Sequence, residues 1–248
     1  MQRRFTPLPA LAITLFLSAG GVHGAAPAFD AWPALAPLLA GGYTGACSIT
    51  SGDADGPAAI TVSVDGKLAA PGIAADLRGS AFTRISRKVG ENGASTNVLL
   101  GAMYDEWHIA LVPDGNGGNA AEAKQQDRVV ICDSVGPLPI LNRKPLAISL
   151  APLLDTTATL DCRASEHAKP YKATLRMVQG KVTLDGHAFD PRPAREESVT
   201  IGSGQGMQYG AALPDGRMLI IVYDTRGKAR SAGILHGESP VIGCGPDA

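Results

Sequence analysis

Apolar residues along this chain fall mostly into short alternating runs punctuated by Gly, Asn, Asp and Pro, the pattern of antiparallel strands with one buried face. The alternation predicts strands at 44–50, 58–64, 67–70, 81–87, 96–104, 107–112 and 128–132. A second set is expected at 157–163, 172–178, 181–184, 198–202, 207–212, 217–223 and 240–244. Helical spacing stands out once, where Trp32, Leu35, Leu38 and Leu39 recur within 29–40, with Pro33 near the start of the turn. Asp65-Gly66 and Asp215-Gly216 read as two-residue hairpin turns. Asp105-Glu106 takes the corresponding place in the first half, with Tyr104 expected to face Trp107 across it. The Gly-rich stretch 113–127 reads as a loop.

The two sets of strands belong to a repeat. Leu35-Ala36-Pro37-Leu38-Leu39 returns letter for letter as Leu150-Ala151-Pro152-Leu153-Leu154. In both places a Thr (Thr44, Thr159) precedes a cysteine (Cys47, Cys162) by three residues. Gly66 to Arg78 then lies without gaps over Gly180 to Arg192, with six of thirteen positions identical. The fold class expected is all-β, two tandem disulfide-closed antiparallel domains, each a small sandwich or barrel. Domain limits follow: 25–135 and 150–248, joined by a stiff linker over 136–149 that holds Pro137, Pro139 and Pro145.

The repeat also selects a cysteine pairing. Cys47 to Cys132 and Cys162 to Cys244 span nearly equal lengths of chain, which places one bridge in each copy. Disulfides suit the N-terminus, where Arg3 and Arg4 lead an apolar run too short to span a bilayer, followed by small residues up to Gly24. Residues 1–24 are read as a signal peptide, and the chain as periplasmic or secreted. Its removal takes two arginines and no acidic residue, which brings the formal charge from −1 to −3. Without a basic run, nucleic acid is not an expected partner.

Candidate chemistry is sparse, and no cofactor is expected. Asp53-Ala54-Asp55-Gly56 begins like a calcium loop, but the position for the closing Glu is Val64, so no metal site is assigned. Ser203-Gly204 and Tyr209 resemble the Ser-Gly-x-x-Tyr loops of small secreted β-barrel lysozyme inhibitors over fewer than ten residues; the spacing differs and the first half has no such segment. His108, His167, His187 and His236 stand in none of the motifs that set a base beside a nucleophile or metal, so no catalytic residue is assigned. Asp76-x-Arg78 and Asp190-x-Arg192 occur in both copies and are expected to fix the turn as ion pairs. Features of one copy alone are where function is sought. The sharpest is Asp105-Glu106-Trp107-His108 against Asp215-Gly216-Arg217-Met218; Trp107 facing Tyr104 inside the core is the first reading, and against it Asp105, Glu106, Trp107 and His108 are the candidate binding residues. The expectation is a non-enzymatic exported binding protein, an inhibitor or immunity-type partner of an extracytoplasmic protein. The alternative is a secreted hydrolase with a scattered site between the two domains.

Overall fold

The computed structural model describes residues 30–50, 59–91, 93–102, 106–113, 119–133, 144–163, 168–202, 206–237 and 239–246. Residues 1–24, expected as a signal peptide, the 53–56 loop, Tyr104, Asp105, His167, Ser203, Gly204 and most of the expected linker lie outside these residues. Strands dominate. The first half opens with helix α1 (Trp32–Leu39), then β1 (Gly41–Tyr43), β2 (Ala46–Ile49), β3 (Ile60–Val62), β4 (Lys67–Ala70) and β5 (Ile73–Asp76). A single 3-10 turn, Leu77–Gly79, leads into the longer meander β6 (Phe82–Gly90), β7 (Gly93–Gly101), β8 (Trp107–Pro113), β9 (Asn119–Gln125) and β10 (Arg128–Asp133). The second half repeats this order: α2 (Leu146–Ser149), α3 (Ala151–Leu154), β11 (Thr156–Arg163), β12 (Tyr171–Val178), β13 (Lys181–Leu184) and β14 (His187–Phe189) come first. The meander β15 (Glu196–Gly202), β16 (Gly206–Ala212), β17 (Arg217–Tyr223), β18 (Ala229–His236) and β19 (Ser239–Cys244) follows.

Connectivity explains the disulfides. β11 pairs with β12 along its length and with β19 at its end, where Cys162 lies directly opposite Cys244. In the first half this strand is broken at Thr44-Gly45, so β1 joins β3 in a four-stranded sheet while β2 joins β10, with Cys47 opposite Cys132. Both bridges form as the repeat requires, Cys47–Cys132 and Cys162–Cys244. Each ties a strand near the start of its half, β2 or β11, to the last, over loops for which the chain-entropy argument gives roughly 4 to 5 kcal/mol.

The halves are not separate in space. β15 pairs antiparallel with β6, from Phe82 opposite Gly202 to Lys88 opposite Glu196, with Ile85 and Val199 facing at the centre. One sheet of 15 strands therefore runs through both halves, and buried residues of both contribute to one core cluster. Inside it, alternation buries one face of every long strand, as in β12, where Ala173, Leu175 and Met177 point inward.

Three expectations need correction. Residues 113–127 are not all loop, because Asn119–Gln125 forms β9, in which Ala121 and Ala123 are fully buried. The small apolar residues there were hidden by the polar ones that alternate with them. β5 (73–76), β14 (187–189) and β18 (229–236) likewise lie outside the expected strands; in β18, Gly233 and Ser231 dilute the apolar signal. Finally, Asp65-Gly66 and Asp215-Gly216 do turn the chain, but only the glycines have positive φ, and the loops close by Ser63–Lys67 and Leu213–Arg217 bonds. The positive-φ pairs are Gln179-Gly180 and Asp185-Gly186.

The repeated pentapeptide has a clear local role. As α1 and α3 end, the last carbonyls of Leu39 and Leu154 lack intrahelical partners. Each accepts a hydrogen bond from a buried tyrosine hydroxyl, Tyr43 on β1 for Leu39 and Tyr223 on β17 for Leu154 (2.7 Å). Burial raises the pKa of both phenols, so both remain donors.

Candidate functional site

The seam between β6 and β15 carries two unlike environments on its inner face. On one side, Arg87 of the first half reaches Glu197 of the second, Nη1 to Oε2 at 3.2 Å, and both residues are buried. Glu197 Oε2 also accepts the amide of Leu146 (3.0 Å), while Oε1 accepts the amide of Ala147 and the hydroxyl of Tyr209, each at 3.1 Å. Loss of solvation raises the Glu197 pKa, opposed by the two amides, Tyr209 and Arg87. Tyr209 is pushed well up, by burial and by the carboxylate beside it. With four donors on two oxygens, this carboxylate is a fastening between the halves.

On the other side of Ile85 and Val199 lies a pocket of about 290 Å³. Leu35, Leu77, Leu100 and Ile201 supply its aliphatic wall, and Trp32 its aromatic one. Thr83 lines its inner end at 5% exposure, and its hydroxyl has no hydrogen-bond partner among the described residues. Asp30 and Arg78 face each other at the mouth, 3.0 Å apart, with side chains 45% and 54% exposed. Ala31 and Ser80 of the first half and Gly202, Gly206 and Thr225 of the second complete the lining, and the Ser80 hydroxyl already donates to the Leu77 carbonyl (2.5 Å).

Local hydrogen bonds and a glycine turn position the residues of this mouth. Asp30 accepts the Trp32 amide at 3.0 Å just ahead of α1, whose N-cap position is Ala31. The Trp32 indole donates to the Val64 carbonyl (2.8 Å), pinning the ring over the 63–66 turn. Gly66 has φ +86°, and a Cβ there would meet the Arg78 stem at 2.8 Å and the Trp32 ring at 3.2 Å. Only glycine lets helix, turn and arginine close together.

Glu106 is exposed. Trp107 shares the inward face of β8 with Ile109 and Leu111 and packs, partly buried, against the core. His108 points to the opposite face, where Nε2 lies 2.8 Å from Glu122 of β9. Asp76 and Arg78 are tied only through the Arg78 amide; the carboxylate pairs with Lys67 (2.6 Å) and the guanidinium with Asp30. Asp190 and Arg192 do form a direct side-chain pair. So one expected ion pair is present and the other has exchanged partners toward the pocket. Sequence reasoning missed Glu197 and Thr83 because nothing in their neighbourhood marks them; an acidic residue at an inward strand position was the available signal for Glu197.

Among the described residues, no group of three or more His, Cys, Asp or Glu side chains is arranged to hold a metal ion, and no helix is long and apolar enough to cross a membrane. No family model, no curated protein and no solved structure matches this chain.

Proposed function

We propose that this chain is an exported, non-catalytic binding protein built from two tandem copies of one disulfide-closed β-domain, and that it binds its ligand in the pocket at their seam. Tandem duplication is supported by the register there. The alignment of Gly66–Arg78 with Gly180–Arg192, continued without a gap, sets Thr83 over Glu197, Ile85 over Val199 and Arg87 over Ile201. The β6–β15 register pairs Thr83 with Ile201 and Arg87 with Glu197, which exchange under that alignment. The join is thus pseudo-two-fold, as when one surface pairs with its own copy.

The pocket is the observation that carries the binding reading. It is concave and largely apolar, has a buried hydroxyl at its inner end and charges at its mouth, and takes residues from both copies. A hydrolase at the same seam would need a base beside the hydroxyl; the carboxylate present, Asp30, is held by Arg78 and the Trp32 amide. The disulfides and the basic-then-apolar N-terminus support export. An inhibitor or immunity-type partner protein would use another surface, around Glu106 and the open edge of Trp107.

A thermal-shift screen of the oxidised mature protein against small metabolites tests this. A ligand at 100-fold excess over Kd should raise Tm by roughly 5 to 10 °C. Thr83→Phe, which fills the pocket from β6, should abolish the shift. A shift that survives Thr83→Phe, or a screen without any shift, would refute a seam binding site.

A further inference from the structure

The two sides of the seam differ in a way that specifies a ligand. On the ion-pair side Arg87 and Glu197 meet across the axis, and Tyr209 adds a donor to the carboxylate. In the pocket, Thr83 occupies the place of Glu197 and Ile201 the place of Arg87, so the inner end offers one neutral hydroxyl among aliphatic side chains. A charged group inserted beside Leu100 and Ile201 would lose its water and find no counter-charge. The inner end of a matching ligand is therefore neutral and able to hydrogen-bond. The middle is apolar, and a flat ring suits the Trp32 wall. The mouth is different again, since Asp30 and Arg78 present one charge of each sign, both about half exposed.

We infer that the seam pocket binds a hydroxyl-bearing aromatic amino acid. The ring hydroxyl meets Thr83, the ring lies between Trp32 and the leucines, the ligand carboxylate pairs with Arg78 and its ammonium with Asp30. This rests on the reading of the chain as a binding protein with its site at the seam. Both rim charges change partner and neither loses one, and because an exposed pair contributes little, the exchange is easy. At about 290 Å³ the pocket lies at the lower end of ligand-site volumes, a size for one substituted ring.

L-tyrosine and L-phenylalanine, which differ only in the hydroxyl, are the probes. Each is titrated into oxidised mature protein and followed by amide chemical shifts. Tyrosine should bind saturably and at least about tenfold more tightly than phenylalanine, the usual consequence of leaving a buried hydroxyl unmatched. Thr83→Val, close in shape but without the hydroxyl, should erase that preference. Arg78→Gln, at the exposed rim, should weaken both ligands by a similar factor. Equal affinity for the two in the wild type, a preference that survives Thr83→Val, or no saturable binding of either would overturn the inference. If neither binds while another compound gives a thermal shift that Thr83→Phe abolishes, the seam still binds, and only the ligand class is wrong.

Discussion

Arg87→Met tests whether the buried pair fastens the two halves. Methionine keeps the stem and removes the charge, so Glu197 retains its bonds from Leu146, Ala147 and Tyr209 but loses the guanidinium that balances its charge. Glu197 is 2% exposed and Arg87 6%, so water does not compensate at either end. Removing one partner of a pair this deep costs about 3 to 5 kcal/mol, a third or more of an ordinary stability. With m near 3 kcal/mol per M, at the top of the usual urea range, the midpoint should fall by roughly 1 to 2 M. Urea titration of the oxidised mature protein by circular dichroism and tryptophan fluorescence is the assay, and both probes should move together because the pair joins both halves. Glu197→Gln in the Arg87→Met background should recover part of the loss at neutral pH, since it removes the stranded charge. A midpoint within roughly 0.3 M of wild type, about 1 kcal/mol at that m, would show that the pair is solvated and the seam looser than described.

The same carboxylate sets a pH dependence. Because burial raises the folded pKa of Glu197 above the ordinary glutamate value of about 4.3, the folded state holds its proton at pH values where the unfolded chain has released it. Its contribution is fully present below that value and is lost as pH rises through the folded pKa, so wild-type stability relative to Glu197→Gln should fall with rising pH; a difference flat in pH would contradict the raised value. Peptide mapping without reductant should recover Cys47 linked to Cys132 and Cys162 to Cys244, and Cys162→Ala with Cys244→Ala should cost about 4 to 5 kcal/mol if that half starts from an open unfolded chain; crosslinks between halves would refute the topology. Trp107→Ala, which opens a gap at the rim of the core, should lower stability by up to about 3 kcal/mol, less than a full core deletion because the ring is only partly buried. If Tm instead stays put while affinity for a captured protein partner drops by about 2 kcal/mol, Trp107 is an exposed anchor.

Repeated local features were the legible part of this fold. The pentapeptide, the paired cysteine spacings and the Gly-Lys turns each appear twice, and each is explained by a structure that also appears twice: a helix end tied by a tyrosine, a bridge from an early strand to the last, a hairpin. What could not be read is what depends on where strands meet. β9 and β18 bury mostly alanines, whose small side chains give a weak periodic signal although their backbones complete the meander. The β6–β15 join is invisible locally because either strand alone reads as an amphipathic strand with one polar residue out of place. Those misplaced residues, Arg87 and Glu197, become sensible only when the strands are opposed. Thr83 is more elusive still, a threonine in a strand being ordinary until it is found buried at the end of a pocket. The hairpin that drew most notice in the sequence offers one exposed acid, a half-buried tryptophan and a histidine already paired with Glu122.

Both the ion pair and the pocket exist only if β6 and β15 pair in register from Phe82–Gly202 to Lys88–Glu196. Backbone NOEs in isotopically labelled mature protein measure that register directly. Cross-strand contacts should link Arg84 with Thr200, Ser86 with Ser198 and Lys88 with Glu196. If β6 or β15 instead shows the exchange and NOE pattern of a free edge, or pairs one residue out of step, Thr83 and Glu197 no longer face inward together and the proposed site does not exist.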